Sequence, residues 1–229
     1  MVRFLNYIFT CLIIFSTYSN YSIAQENNNS LSFNKINVSG RLNVRLEKSN
    51  SNYISVKSKE IDIKNIKYHV KNNTLTIRTI KLSNKQKGDV TIGFKNITSI
   101  NVSSGASLYN YGTITTNYLR ITGKLGCEID LLIKTDTTDI KVTQGAFIRL
   151  RGSSNHLNVK TSLSGDLRAD ELQNKTAIVK LSGGSAFINT SNFLDANVKN
   201  GATLKLKKQP QKIKKKTSLN GTISSLDKL

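Results

Sequence analysis

Apolar and polar side chains alternate along the chain from Phe33 onward. Between Ile36 and Leu46 every second residue is Ile, Val, Leu or Gly, and the residues between them are Asn, Ser and Arg. A period of two is typical of β-strands that bury one face and expose the other. Gly40 interrupts the apolar series and predicts a bend or a bulge. The pattern therefore predicts an all-β protein.

The alternating stretches up to residue 88 differ in length and spacing. Apolar positions continue through Tyr53–Val56 and Ile61–Val70, and the pair Asn72-Asn73 precedes the next strand at Leu75. Because asparagine tolerates positive φ, this pair predicts a tight turn between two strands. Residues 33–88 are therefore predicted to be a less regular N-terminal set of strands.

A glycine-marked repeat begins at about residue 89. Seven segments share an aliphatic residue, a short polar step, a glycine and a second apolar residue, and their glycines are Gly105, Gly123, Gly145, Gly165, Gly183, Gly201 and Gly221. Glycine supplies the backbone freedom needed at one corner of successive coils. The residues between the glycines predict strands of three to five residues, which are too short for a stable sheet unless coils stack and bury a continuous face.

This repeat predicts a single-stranded β-helix-like solenoid over residues 89–226, with coils of about 20 residues. Strands spaced about 8 to 12 residues apart would also fit a β-sandwich. The regular position of the glycines favours the solenoid.

The order of several short motifs resembles a bacterial family described as "putative auto-transporter adhesin, head GIN domain". The motifs are Phe33–Gly40, Leu42–Leu46, Asn73–Ile77, Ile100–Ala106, Pro210 and Ser218–Gly221. The resemblance implies a mostly parallel β-solenoid domain over residues 33–229, an exported envelope protein and an adhesin role. It brings no catalytic residues with it. This chain departs from the family in the number of lysines around Pro210.

The N-terminus reads as a secretory signal peptide over residues 1–24. Arg3 supplies a positive charge, Tyr7–Phe15 is apolar, and Ser22-Ile23-Ala24 offers small residues at a cleavage site. Residues 25–32 follow as a polar leader. The apolar run is shorter than the roughly 20 residues that a membrane-spanning helix needs, so no transmembrane segment is expected in the mature chain. The sequence predicts export to the periplasm, the outer membrane or the cell surface.

The chain is strongly basic, with a net charge of +20 from 34 basic and 14 acidic residues. This excess favours anionic partners, although codon usage in an A/T-rich genome could also supply lysines. The densest cluster comprises Lys205, Lys207, Lys208, Lys212, Lys214, Lys215 and Lys216. Lys205 and Lys207 alternate with leucines and are predicted to lie on one outer face.

Two roles fit this lysine cluster. It could be a solvated run that protects an edge strand from aggregation. It could bind acidic polysaccharide or an anionic envelope surface. No nucleic acid partner is expected, because the chain is exported and basic residues are seldom paired with aromatic ones. Tyr109 and Tyr111 are further binding candidates, since they share a strand face and could stack on sugars, or instead form an outer ladder.

The sequence contains no convincing catalytic or metal-binding constellation, and no cofactor is predicted. The acids Asp130, Asp136, Asp139, Asp166, Asp170 and Glu171 are expected on turns and outer faces. His69 and His156 are too isolated for a metal motif. Cys127 remains alone after signal cleavage and is expected to be a buried apolar residue.

The leading hypothesis is a non-enzymatic envelope module that binds or scaffolds. A solenoid-type polysaccharide-degrading enzyme is the alternative from another class. The third is a structural spacer or self-assembling protein, for which a homo-oligomer would be expected.

Overall fold

The computed structural model describes residues 31–57, 62–80 and 87–226. The predicted signal peptide and residues 25–30 of the polar leader lie outside these ranges. The chain forms a parallel β-solenoid of about 7 turns with coils of ~19 residues. The predicted fold class is confirmed, including the less regular N-terminal part. No helix among the described residues is long and apolar enough to cross a lipid bilayer.

One 16-stranded sheet winds through the described residues. Its strands are β1 Lys35–Ser39, β2 Leu42–Lys48, β3 Tyr53–Val56, β4 Ile66–Lys71, β5 Thr74–Thr79, β6 Gly88–Phe94, β7 Ser99–Ser103, β8 Ser107–Tyr111, β9 Ile114–Lys124, β10 Glu128–Thr143, β11 Phe147–Ser162, β12 Asp166–Ser182, β13 Ser185–Lys199, β14 Thr203–Leu206, β15 Lys212–Ser218 and β16 Thr222–Ser225. A 3₁₀ turn, Ile63–Asn65, precedes β4.

The sheet folds into two walls of the solenoid, which we call face A and face B. The two walls meet at a bend on one side and at a tight corner on the other. Face A carries the ladder β3-β6-β2-β8, the first halves of β10 to β13, then β14 and β16. Face B carries β4-β5-β1-β7-β9, the second halves of β10 to β13, and then β15. Each coil therefore passes once across each face.

The coil strands are longer than the sequence pattern predicts. β10 to β13 each contain 15 to 17 residues and run from face A to face B without a break. The predicted strands of three to five residues are wrong here, because the chain bends while most of its ladder hydrogen bonds continue. Buried hydroxyls line the inside of this bend: Thr138 bonds to Thr135 at 2.7 Å and to Ser154 at 3.0 Å.

The tight corner consists of two residues with positive φ. In one coil these are Ser104 and Gly105, with φ of 59° and 74°. The corner predicted at Gly123 is wrong, since Gly123 lies within β9 and the turn is formed by Leu125 and Gly126. Gly165 and Gly221 also lack the predicted role, since each follows a turn made by a Leu-Ser or Leu-Asn pair with positive φ. A Cβ at position 123 would lie 3.1 Å from the Cys127 sulfur. Close packing therefore accounts for that glycine.

The N-terminal strands are interleaved rather than stacked in chain order. The coil of β1 and β2 lies between the coil of β5 and β6 and that of β7 and β8. Gly40 forms its corner with φ of 86°, as predicted. β3 and β4 pair antiparallel with β6 and β5 and cover this end. The predicted turn at Asn72-Asn73 is confirmed, with φ of 51° and 56°.

The core is one column of Ile, Leu and Val inside the coils. Inward residues of successive coils, such as Ile129, Ile148 and Leu167, are stacked in register and fully buried. Burying such side chains is the main driving force that holds short coils together. Outward residues stack in the same way, so each outer position forms a column across the strands.

Candidate functional site

The predicted C-terminal lysines are divided between both faces and one end of the solenoid. Lys205 is exposed on face A, and Lys207 is half-buried just after β14. Four more lysines of the cluster lie on β15 and are all exposed: Lys212, Lys214, Lys215 and Lys216. Lys215 lies in register with the buried Ala196, so its side chain is at the open end of the core. Lys208 lies at the bend. The cluster is thus several surfaces rather than one.

The two candidate tyrosines form a pair on face A, far from this cluster. The rings of Tyr109 and Tyr111 are 6.0 Å apart in an edge-to-face arrangement. Their residues are 39% and 63% exposed. The Arg45 guanidinium is 5.5 Å from the Tyr111 ring centre, which is a favourable cation–π distance. Four strands of face A separate β8 from β14, so the tyrosines and the C-terminal lysines do not share a site.

A column of lysines on face B was missed by the sequence analysis. Lys141, Lys160 and Lys180 are in direct register on β10, β11 and β12. The same outward position is Asn197 on β13 and Lys216 on β15. We call the residues Lys141, Lys160 and Lys180 the lysine column. Strands in a sheet are about 4.8 Å apart, so each coil adds one cation along the solenoid axis.

The lysine column borders a shallow groove of about 440 Å³. The groove is lined by four cations (Arg120 and the lysine column) and one acid, Asp139, so its net charge is 4 − 1 = +3. Ile178 lies in it and is 47% exposed. No aromatic side chain lines the groove. An exposed basic groove of this kind attracts extended anionic molecules.

Asp139 is fully engaged by its neighbours and does not neutralise the lysine column. Its carboxylate accepts hydrogen bonds from Tyr118 at 2.5 Å and Asn158 at 2.8 Å, and Arg120 lies 3.5 Å away. Partial burial raises the pKa of Asp139, but these hydrogen bonds and the Arg120 charge outweigh it, and the pKa is lowered overall. Asp139 therefore stays ionised and is balanced by Arg120.

A second groove of about 570 Å³ follows the bend. Three lysines line it, Lys134, Lys175 and Lys208. Its other lining residues are hydroxyl and amide side chains: Thr135, Ser153, Ser154, Asn155, Gln173, Asn174, Asn189 and Ser191. Asp136 beside it accepts a hydrogen bond from Asn155 at 2.9 Å, and this bond is the main cause of its lowered pKa. The bend groove is thus polar and basic.

Two of the four remaining candidate acids, Asp130 and Asp166, form arginine ion pairs on face A, whereas Asp170 and Glu171 form no ion pair with a described residue. Asp130 is 2.9 Å from Arg151 and 3.7 Å from Arg149, and Asp166 is 3.8 Å from Arg168. Within the ranges that the structure describes, no three His, Cys, Asp or Glu residues could hold a metal ion. His156 bonds through Nδ1 to Thr176 at 2.8 Å.

Cys127 is buried, as predicted from the sequence. Its side chain lies inside the coils with only 1% of the residue exposed. Burial raises the pKa of its thiol to about 11. Since the thiolate is the reactive form, this cysteine is a packing residue.

Several solved structures have a similar fold. A Bacteroides fragilis protein described as a "putative adhesin" superposes with a TM-score of 0.78 at 20% identity, covering 86% of this chain and 93% of its own. A "putative adhesin" from Parabacteroides merdae gives 0.69 at 17% identity, covering 86% and 92%. A "putative lipid binding protein" from Parabacteroides distasonis gives 0.65 at 19% identity, covering 88% and 95%. At these identities the likeness establishes the fold.

No curated protein matches the chain at a significant level. A family model, in contrast, matches residues 32–210, which is most of the sequence. That match covers the interleaved N-terminal strands and the regular coils as far as β14. The chain belongs to the family described as "putative auto-transporter adhesin, head GIN domain".

Proposed function

We propose that this protein is an exported, non-enzymatic binding module of the cell envelope whose basic surface binds acidic polysaccharide. One observation carries the proposal. Of the six ion pairs among the described residues, five use arginine and only one, Lys214 with Asp195 at 4.0 Å, uses lysine. Of the eleven acids among the described residues, four pair with arginine and one pairs with lysine. Apart from Lys214, the described lysines therefore have no described carboxylate within ion-pair distance, and their charge is available for an external anion.

Because the proposed contacts are made by exposed lysines, the binding affinity should decrease as the salt concentration rises. Exposed charges interact with a partner over about one Debye length, which is ~8 Å at physiological ionic strength. Contacts made by flexible lysines are individually weak, so many of them must act together. An acidic polysaccharide repeats its charge along an extended chain and can meet several lysines at once. The membership in an adhesin family supports the same reading of the surface.

The proposal is tested by binding of the protein to polygalacturonate and to a neutral glucan, measured by biolayer interferometry at 20 and 150 mM salt. We expect binding to polygalacturonate alone, weakened by salt. A variant with Lys212, Lys214, Lys215 and Lys216 changed to Gln should bind less tightly, because four exposed cations are removed. Equal binding of the neutral glucan, or no binding of the acidic polymer at either salt, would contradict the proposal.

The same samples test the enzyme alternative. A lyase or hydrolase would release unsaturated or reducing ends from polygalacturonate over time. The arginine partners of Asp130 and Asp166 favour a structural role for these acids. Steady release of new ends, lost on changing Asp139 to Asn, would replace the binding proposal by the enzyme.

End-to-end self-assembly is disfavoured by charge at both ends. β15 presents four exposed lysines at one end, and β4 presents Lys67 and Lys71 at the other. Lysine on an edge strand is a common protection against pairing with a second sheet. We therefore expect a monomer in sedimentation experiments at physiological salt, and a fibre or ring would point to the spacer role.

A further inference from the structure

We infer that the lysine column is a subsite for one acidic polysaccharide chain that lies along the solenoid axis, with one anionic group near each coil. The inference rests on the proposed function and specifies where and in which direction the ligand binds. It makes the register of the coils, rather than the C-terminal lysine cluster, the main determinant of recognition.

The lysines on face B form a straight row along the solenoid axis. Lys141, Lys160 and Lys180 are direct neighbours across three parallel strands, and Lys216 continues the column after one asparagine. All four are exposed. At about 4.8 Å per strand, the row from Lys141 through the lysine column and Asn197 to Lys216 is roughly 19 Å long. One uronic acid residue in an extended chain is about as long as one coil is thick. Successive carboxylates point to different sides of such a chain, and the long flexible lysine side chains can reach them from one row.

The charges of the lysine column are uncompensated. Like charges placed directly opposite each other in a sheet destabilise it. Among the described residues, no carboxylate lies within ion-pair distance of the lysine column, and the one acid in the groove is committed to Arg120, Tyr118 and Asn158. If this surface had no ligand, an acidic residue in place of Lys160 would make the folded protein more stable. The uncompensated charge of the column instead favours the binding of an external polyanion.

The side chains that line the groove indicate the class of polyanion. Single-stranded nucleic acid is held by aromatic side chains on which bases stack, and none lines this groove. A membrane surface is flat and wide, whereas the groove is concave and its lysines form a single row. Ile178 beside the row offers an apolar patch for the C–H face of a sugar ring. These features favour an acidic glycan.

The test compares the wild type with two variants of equal charge. The first is K141Q/K160Q/K180Q in the column. The matched control is K64Q/K67Q/K71Q at the opposite end, where the three lysines are also exposed. The probes are α-1,4-linked galacturonic acid oligomers of two to eight units, measured by isothermal titration calorimetry at 20 mM salt. Circular dichroism and thermal melting confirm that each variant is folded.

For the wild type, we expect the affinity to increase with oligomer length up to about five units and then level off, since the row from Lys141 to Lys216 crosses five strands. The column variant should lose about tenfold in affinity for the hexamer, and the control should change by less than about twofold. Binding to the hexamer that is equal in both variants would overturn the axial subsite and leave the proposed function standing.

Other outcomes separate the two proposals and the class of ligand. If neither oligomers nor polymeric polygalacturonate bind the wild type, the proposed function fails and the inference fails with it. Oligothymidylate, or vesicles with 30% phosphatidylglycerol, serves as a competing anion. Binding of either that is as tight as the hexamer and equally sensitive to the column variant would overturn the assignment to a glycan.

Discussion

Removing the central charge of the lysine column should stabilise the protein in the absence of ligand. Lys160 has a lysine directly opposite it on each neighbouring strand, Lys141 and Lys180. In water, two unit charges about 5 Å apart repel each other by about 0.8 kcal/mol. The side chains are exposed and can move apart, and salt screens them, so we expect K160Q to raise the free energy of unfolding by about 0.5 kcal/mol in total.

The matched control for this experiment is K134Q. Lys134 is exposed on the same solenoid but has Thr115 and Ser153 opposite it, so it has no like-charge neighbour in register. For a chain of this size, K160Q should raise Tm by about 1–2 °C relative to K134Q, measured by calorimetry in 10 mM buffer. The difference should vanish in 1 M salt, where the Debye length is about 3 Å. A lower Tm for K160Q than for K134Q in 10 mM buffer would refute the electrostatic argument.

Three further predictions concern single positions. Gly165→Ala should unfold at a markedly lower temperature than Gly105→Asn, since a Cβ at 165 would lie 2.4 Å from the Val142 carbonyl oxygen whereas position 105 is open; similar Tm values would contradict the steric argument. Cys127 should resist iodoacetamide at pH 8 in the folded protein and react in 6 M guanidinium, because its pKa is about 11; fast native labelling would contradict its burial. Asp139→Asn should destabilise the protein at neutral pH, and the difference from wild type should shrink as pH falls below 3.8, because a carboxylate with lowered pKa stabilises only while it is ionised; a constant difference down to pH 2 would contradict this.

The fold was predictable from the sequence because the period-two alternation and the glycine repeat act over short distances. Asn72-Asn73 and Gly40 specify turns through the conformations their own backbones tolerate. The glycine pattern misled at three coils, those of Gly123, Gly165 and Gly221, because glycine serves two needs. At Gly105 it adopts positive φ, and at Gly123 it makes room for Cys127. Sequence alone does not separate these reasons.

The long-range order of strands was not predictable. β1 pairs with β5 and β7, and nothing in their alternating patterns specifies that partnership over others of similar length. The lysine column left a signal that counting could have found. Its members are 19 and 20 residues apart, which is the length of a coil. The C-terminal lysines are dense in the sequence, whereas the charge of the lysine column is brought together only by folding.

The interleaved N-terminal strands determine where folding can begin. β1 finds its β7 neighbour across a separation of 64 residues, whereas β10 and β11 pair across 19. Closing the longer loop costs about 1 kcal/mol more conformational entropy. The regular coils from β9 to β13 are therefore expected to form first, and the N-terminal strands are expected to pair with them later. Pulsed hydrogen exchange during refolding should show amide protection in β11 before β1. With this folding order, an exported chain would begin to fold only after its middle has crossed the membrane.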